Sequence, residues 1–111
     1  MGNPGNIKSP NYPDQYGNGE DCTWRLIAPP GRRIALSFLA FQLESHTNCG
    51  YDSLTIYDGQ NTGYSQMNKL CGHLTQDDIE SSGEALFLEF ITDGGAVDSG
   101  FNIRYQTTGK R

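Results

Sequence analysis

The sequence has little positive charge, no long apolar run and no extended helical pattern, and each shortage excludes a class of protein. Its 111 residues contain 8 Lys and Arg against 13 Asp and Glu, for a formal net charge of −5. Basic residues adjoin only at Arg32-Arg33 and Lys110-Arg111, so a nucleic-acid surface is not expected. No apolar run approaches the roughly 18 residues that cross a bilayer, and no signal peptide is recognisable at the start. We therefore expect no membrane insertion and interpret the chain as a domain excised from a larger protein.

Motifs for catalysis and for zinc are missing as well. The two histidines, His46 and His73, form no His-x-x-x-His pair, and no Gly-x-Ser-x-Gly motif occurs. None of the three cysteines belongs to a Cys-x-x-Cys pair, which excludes zinc ribbons and thioredoxin-like sites. Disulfide formation would require an oxidising compartment and would leave one thiol over. The sequence thus predicts a non-catalytic module.

What the sequence does contain is a series of short alternating segments. Fourteen glycines and five prolines are spread along it, and helical periodicity never exceeds about two turns. Turn signals separate the segments at intervals of roughly 8–12 residues. This predicts an all-β fold, a sandwich of two antiparallel sheets, in a single domain over residues 1–111 with its core at about 5–106. The alternating segments are residues 22–26, 32–43, 52–57, 86–90 and 101–105.

The remaining segments predict irregular or edge structure. Two prolines within residues 6–16 indicate a loop or a sheet edge, and the alternation slips near Ala40, which predicts a bulge. Residues 60–68, rich in Gly, Ser and Asn, are expected to form a loop, and residues 75–82, which contain three acids, are expected to form one irregular turn.

Residues 49–59 contain the most informative strand. Asp52 shares its alternation phase with Leu54 and Ile56, so this carboxylate is expected to point toward the apolar side, while Ser53 and its phase face solvent. Asp58-Gly59 then predicts a turn. An inward carboxylate is costly unless something satisfies its charge.

Several pieces of the chain occur together in order from about Gly5 to Tyr105. They are residues 9–13 (SPNYP), 22–24 (CTW), 38–44, 49–59, 70–72 (LCG), 86–90 and 93–101. In this order and spacing they resemble one family, the CUB domains of extracellular and developmental proteins. The resemblance implies a compact sandwich of two antiparallel sheets and a secreted or cell-surface origin.

The resemblance also implies a disulfide framework. CUB domains usually carry four cysteines, paired first with second and third with fourth, and the three here match the second, third and fourth. The family pattern therefore implies a Cys49–Cys71 disulfide and leaves Cys22 as a free thiol. We interpret it as a small buried hydrophobe beside Trp24, and the alternative is an intermolecular disulfide.

A calcium-binding subset of the family has acidic residues at the positions of Glu44, Asp52 and Asp93. By that resemblance these three bind Ca²⁺ together with the Gly95 carbonyl, and Tyr16 holds a ligand carboxylate by a hydrogen bond. Asp98 is considered as a substitute for one of these three calcium ligands. The alternative is that the acids are solvated loop residues, and zinc bound through His46 is disfavoured because hard oxygen donors predominate.

For function, the resemblance implies that Glu44 and Asp52 capture a Lys or Arg of an extracellular partner protein at the calcium-ordered site. One alternative is a carbohydrate-binding or hydrophobic patch of exposed tyrosines, as in the sperm-coat branch of the family. Another is a structural spacer beside a protease or receptor. The tyrosines considered are Tyr12, Tyr57 and Tyr64.

Overall fold

The computed structural model describes residues 5–44, 49, 50, 52–73, 78–93 and 98–110. Eight β-strands form the regular structure of these residues. They build two antiparallel four-stranded sheets, with strand orders β1-β8-β3-β6 and β2-β7-β4-β5. The predicted all-β sandwich is confirmed. The strands are β1 Gly5–Lys8, β2 Asp21–Ile27, β3 Arg32–Gln42, β4 Ser53–Tyr57, β5 Gln66–Leu70, β6 Ile79–Glu80, β7 Ala85–Ile91 and β8 Gly100–Lys110.

One apolar core fills the space between the sheets. The inward residues of β2, β3, β4, β7 and β8 follow the period of two that the sequence predicts, except at one point of β3, and the fully buried ones come from both sheets. Within the core, Phe101 contacts Phe90 edge to face with ring centroids 5.0 Å apart. Burial of this set stabilises the packing of the sheets. It comprises Ile34, Leu36, Leu54, Ile56, Leu86, Leu88, Phe90, Phe101 and Ile103.

Strand β3 contains the predicted bulge. Its register against β8 shifts between Phe38 and Ala40, so one extra residue separates the two halves of the strand. Leu39 is 59% exposed at this point, and the inward phase passes to Phe41. The edge position expected near the start of the chain is also confirmed, because β1 pairs only with β8 in its sheet.

Three expectations about local structure are wrong. Strand β5 lies partly within the expected loop 60–68, and β6 lies within the expected turn 75–82, where it pairs with Ala35 and Leu36. Strand β4 is buried on both faces, with Ser53 and Thr55 only 7% and 6% exposed. β4 is an inner strand, and Thr55 stands in register between the longer side chains of Lys69 and Glu89, which shield it.

The disulfide joins Cys49 to Cys71, with a Cα–Cα distance of 5.5 Å, as expected. It connects the residues just before β4 and just after β5, which pair antiparallel. Cys22 is the cysteine that remains outside the bridge, and burial, followed by the nearby Glu20 and Asp21, raises the pKa of its thiol. Within the described residues, no helix is long and apolar enough to cross a membrane.

Removing the disulfide is expected to destabilise the domain substantially. The bridge closes a loop of 22 residues, and in the chain-entropy model its loss costs about 3 kcal/mol of unfolding free energy. Urea unfolding of the Cys49→Ala/Cys71→Ala variant measures this cost, with Cys22→Ala as the control, which should lose less than about 1 kcal/mol. An unchanged unfolding midpoint in the double variant would show that the bridge contributes no stability.

Candidate metal centre

The site is built around the carboxylate of Asp52, which directly precedes β4. Asp52 is 0% exposed and lies on the inward side with Leu54 and Ile56, where its alternation phase puts it. Its Oδ2 accepts a hydrogen bond from the Tyr16 hydroxyl at 2.5 Å, and its Oδ1 accepts one from the Asp93 backbone N–H at 3.1 Å. Both donors are neutral, so the described hydrogen bonds satisfy the carboxylate geometrically without balancing its charge.

Tyr16 connects Asp52 to Glu44. Its hydroxyl oxygen accepts the Glu44 backbone N–H at 3.1 Å, which directs the hydroxyl hydrogen toward Asp52. The Tyr16 ring is 2% exposed and contacts Phe90 edge to face at 5.2 Å. Burial, followed by the hydrogen bond to Asp52, raises the pKa of Tyr16, so the phenol stays protonated and remains a donor.

Residues 17–20 hold the segment that carries Asp93. The Thr92 hydroxyl accepts the Glu20 N–H at 2.8 Å and donates to the Gly17 carbonyl at 3.0 Å, while the Gly19 N–H donates to the Asp93 carbonyl at 3.0 Å. Thr92 is 5% exposed. Sequence reasoning missed this residue, because no local pattern links a threonine after β7 to a turn before β2.

The carboxylates of Glu44, Asp52 and Asp93 converge. One oxygen of each lies within 4.8 Å of the others, although the residues come from the ends of β3, β4 and β7. Glu44 and Asp93 are half-buried. Three hard oxygen donors around a small volume suit a hard divalent cation, and the uncompensated charge of buried Asp52 favours one. The donor set therefore fits Ca²⁺.

Two residues considered as ligands lie outside the described residues, namely Gly95 and, for zinc, His46. Asp98, considered as a substitute ligand, is engaged elsewhere. Its Oδ2 lies 2.5 Å from Nε2 of His73, and its Oδ1 accepts the Ser99 N–H at 2.7 Å. Asp98 contributes its backbone instead, because its carbonyl accepts the Tyr16 N–H at 3.2 Å.

The tyrosines considered for a sugar-binding patch occupy different environments. Tyr64 is 52% exposed and lines a cavity of about 340 Å³ together with Ile27 and Asp58. Tyr57 lies against Phe87 with ring centroids 6.3 Å apart, and Tyr12 belongs to the turn that follows β1. Neither Tyr12 nor Tyr57 lines the cavity, and carbohydrate recognition at Tyr64 stays a prediction.

The variant Tyr16→Phe is expected to lose stability and a specific pH dependence. It removes the donor to Asp52 and the acceptor for Glu44, which costs about 1–3 kcal/mol of unfolding free energy. In the wild type, Tyr16 is protonated in both the folded and the unfolded state below about pH 10, so it contributes no pH dependence there. Above about pH 10 the unfolded chain loses the Tyr16 proton while the folded chain keeps it, so the free energy of unfolding falls as the pH rises.

Urea unfolding from pH 8 to 11 measures both effects. Tyr57→Phe is the control, because that residue has no described side-chain hydrogen bond. If Tyr16→Phe and wild type lose stability in parallel above pH 10, Tyr16 does not titrate as described.

The chain matches the family model described as CUB domain over residues 1–105. It is 37% identical over 103 residues to human Tolloid-like protein 1, covering 93% of this chain and 10% of that protein. It is 42% identical over 97 residues to human cubilin, covering 87% of this chain and 3% of that protein. The chain thus spans a small part of these relatives.

Among solved structures, the fold matches the full extracellular region of zebrafish Gpr126/Adgrg6 with a TM-score of 0.85 and 31% identity. The match covers 96% of this chain and 14% of that one. CUB domains are generally non-catalytic modules, and these relatives support a protein-interaction module. The predicted secreted or extracellular location is confirmed by them. The family model, the relatives and the two-sheet sandwich agree, and the chain belongs to the CUB domain family.

Proposed function

We propose that this chain is a non-catalytic extracellular module that binds Ca²⁺ through Glu44, Asp52 and Asp93 and uses the ordered site to bind a basic side chain of a partner protein. The observation that carries the proposal is the fully buried carboxylate of Asp52. Two neutral donors hold it, and one of its oxygens lies within 4.8 Å of a carboxylate oxygen of each of the other two acids. The membership of a family of interaction modules supports the same function.

A bound cation explains why three acids converge at this end of the sandwich. Three ionised carboxylates repel one another, and one of them is removed from solvent. Ca²⁺ would supply two positive charges and accept oxygen ligands from several loops, leaving a formal charge of −1. The chain's own contribution is to position the ligands through Tyr16 and the Asp93 N–H.

The remaining charge suits a Lys from the partner. Its ammonium is compact, carries three donors and stands on a long stem, whereas Arg needs two parallel acceptors. Glu44 and Asp93 are half-buried and have surface to offer, while Asp52 is 0% exposed. Of the two predicted acceptors, Glu44 and Asp52, this favours Glu44 for direct contact; direct contact of Asp52 with the partner stays a prediction. Calcium acts indirectly, by ordering the acceptors.

The described residues also support a non-catalytic role. His73 pairs with Asp98, and its side chain is 62% exposed rather than set in a cleft. The neighbouring Ser99 hydroxyl donates to Gln42 at 2.6 Å, so it is not activated by His73. This arrangement resembles a surface hydrogen bond and not a nucleophile with its base.

Calcium is expected to stabilise the domain through this site. At a calcium concentration 100-fold above the dissociation constant, the unfolding free energy should rise by about 2.7 kcal/mol, raising the melting temperature by several degrees. Asp52→Asn and Glu44→Gln should reduce the response, whereas Asp78→Asn, which removes an equal charge at an exposed position, should keep it. Calorimetry in calcium and in chelator measures the difference. A wild-type melting temperature indifferent to millimolar calcium contradicts the assignment.

Lysine recognition is expected to depend on calcium. In NMR titrations of the labelled domain, N-acetyl-lysine amide should shift the Glu44 and Asp93 amide signals in calcium and leave them unchanged in chelator. The same compound acetylated at Nζ should have no effect, because it lacks the charge. Added salt should weaken the response. Equal shifts in calcium and in chelator would rule out a calcium-ordered lysine site.

A further inference from the structure

The charges of this acidic chain are unevenly distributed between one of its sheets and the rest of the chain. The strands of the β1-β8-β3-β6 sheet contain five of the 8 Lys and Arg residues and one of the 13 Asp and Glu residues, a formal charge of +4. The rest of the chain carries −9, which gives the total of −5. The basic residues are Lys8, Arg32, Arg33, Arg104 and Lys110, and the acidic one is Glu80.

The alternation of the strands directs part of this charge outward. Ile7, Ile34 and Ile103 are buried, so Lys8, Arg33 and Arg104 are on the opposite, outer side of the sheet. We call this outer side the basic face; its other polar members are Asn6, Ser37, Asn102 and Gln106.

The register brings Lys8 and Arg104 close together. Arg104 pairs with Asn6 on one side and with Ser37 on the other, and Lys8 pairs with Asn102. Lys8 and Arg104 are therefore diagonal neighbours, a position that puts their Cα atoms about 7–8 Å apart. Both are exposed, and neither belongs to an ion pair of the described residues.

Arg33 extends the basic face along β3. It lies four positions from Ser37, the neighbour of Arg104, and its Nη1 contacts Oε1 of Glu80 at 3.1 Å. That pair is partly exposed, so it leaves the arginine accessible. Asn6 donates to Asn102 at 2.9 Å between the cations, which keeps this part of the face polar.

We propose that the basic face binds a sulfated polysaccharide. The ligand must be a polyanion found outside cells, where the domain is located, and anionic lipids concentrate in the cytoplasmic leaflet. A flexible, linear polymer can follow cations spread over three strands and use the amides between them for its hydroxyl groups. A protein partner would favour an aromatic or aliphatic anchor in a pocket, and the cavity that Tyr64 lines together with Ile27 and Ala85 belongs to the other sheet.

The net charge of −5 does not prevent this binding. The domain extends 42 × 27 × 21 Å, and electrostatic interactions are screened over about 8 Å at physiological ionic strength. A chain lying on the basic face therefore experiences the local cations more strongly than the acids of the opposite sheet. A broad polyanion that also approached the other surfaces would be repelled.

Affinity for a size-defined heparin fragment tests the proposal. The variant Lys8→Gln/Arg104→Gln should weaken binding about tenfold, and the dependence of log affinity on log salt concentration should fall by about 1.5–2. Arg25→Gln/Lys69→Gln is the matched control, because it removes the same charge from exposed positions of the other sheet. It should bind as the wild type does. Urea unfolding checks that both variants are folded.

Three results would overturn the proposal. The first is that the wild type does not bind the heparin fragment at low salt. The second is an equal loss of affinity in both double variants. The third is that polyglutamate competes as well as heparin, which would mean that the face binds any polyanion. Binding measured in chelator should persist, because the basic face contains none of the three acids of the calcium site. Failure of the calcium site and failure of the basic face are thereby distinguishable.

Discussion

The buried carboxylate of Asp52 and its two hydrogen bonds are the constraint on which one end of the molecule depends. Ser53 and Ile91 are paired, so Asp52 and the segment after Ile91 leave their strands side by side. Glu44 follows β3, which belongs to the other sheet. Tyr16 is the link between them, since its hydroxyl contacts both Asp52 and Glu44. A cation held by the three acids would therefore connect the two sheets at the ends of inner strands.

Strand alternation made several features of the fold and of the candidate site predictable. The phase of Asp52 with Leu54 and Ile56 was enough to put a carboxylate on the apolar side, and the phase change near Ala40 was enough to locate the bulge. These features depend on neighbours in the sequence. The contribution of Tyr16, in contrast, followed only from family resemblance, because its contact with Asp52 spans 36 positions.

The features that sequence reasoning missed depend on contacts between distant segments. Strands β5 and β6 are edge strands of five and two residues, and such short segments show no alternation that would predict their pairing with β4 and β3. Asp98 has the right chemistry for a ligand, yet His73 and Ser99 engage its carboxylate. The basic face is also absent from the sequence pattern, because Lys8, Arg33 and Arg104 come onto one side of one sheet only through the pairing of β1, β3 and β8.

The position of β1 and β8 has a mechanical consequence. Gly5, the first residue of β1, pairs with Tyr105, and Lys110 at the end of β8 pairs with Arg32, so both strand ends lie toward the same end of one sheet. Tension applied to these two ends would separate the strands one hydrogen bond after another instead of shearing many at once. The Cys49–Cys71 bridge belongs to the other sheet and would not carry that load. Pulling would thus release β1 and the end of β8 first, while the disulfide-linked strands β4 and β5 stayed paired.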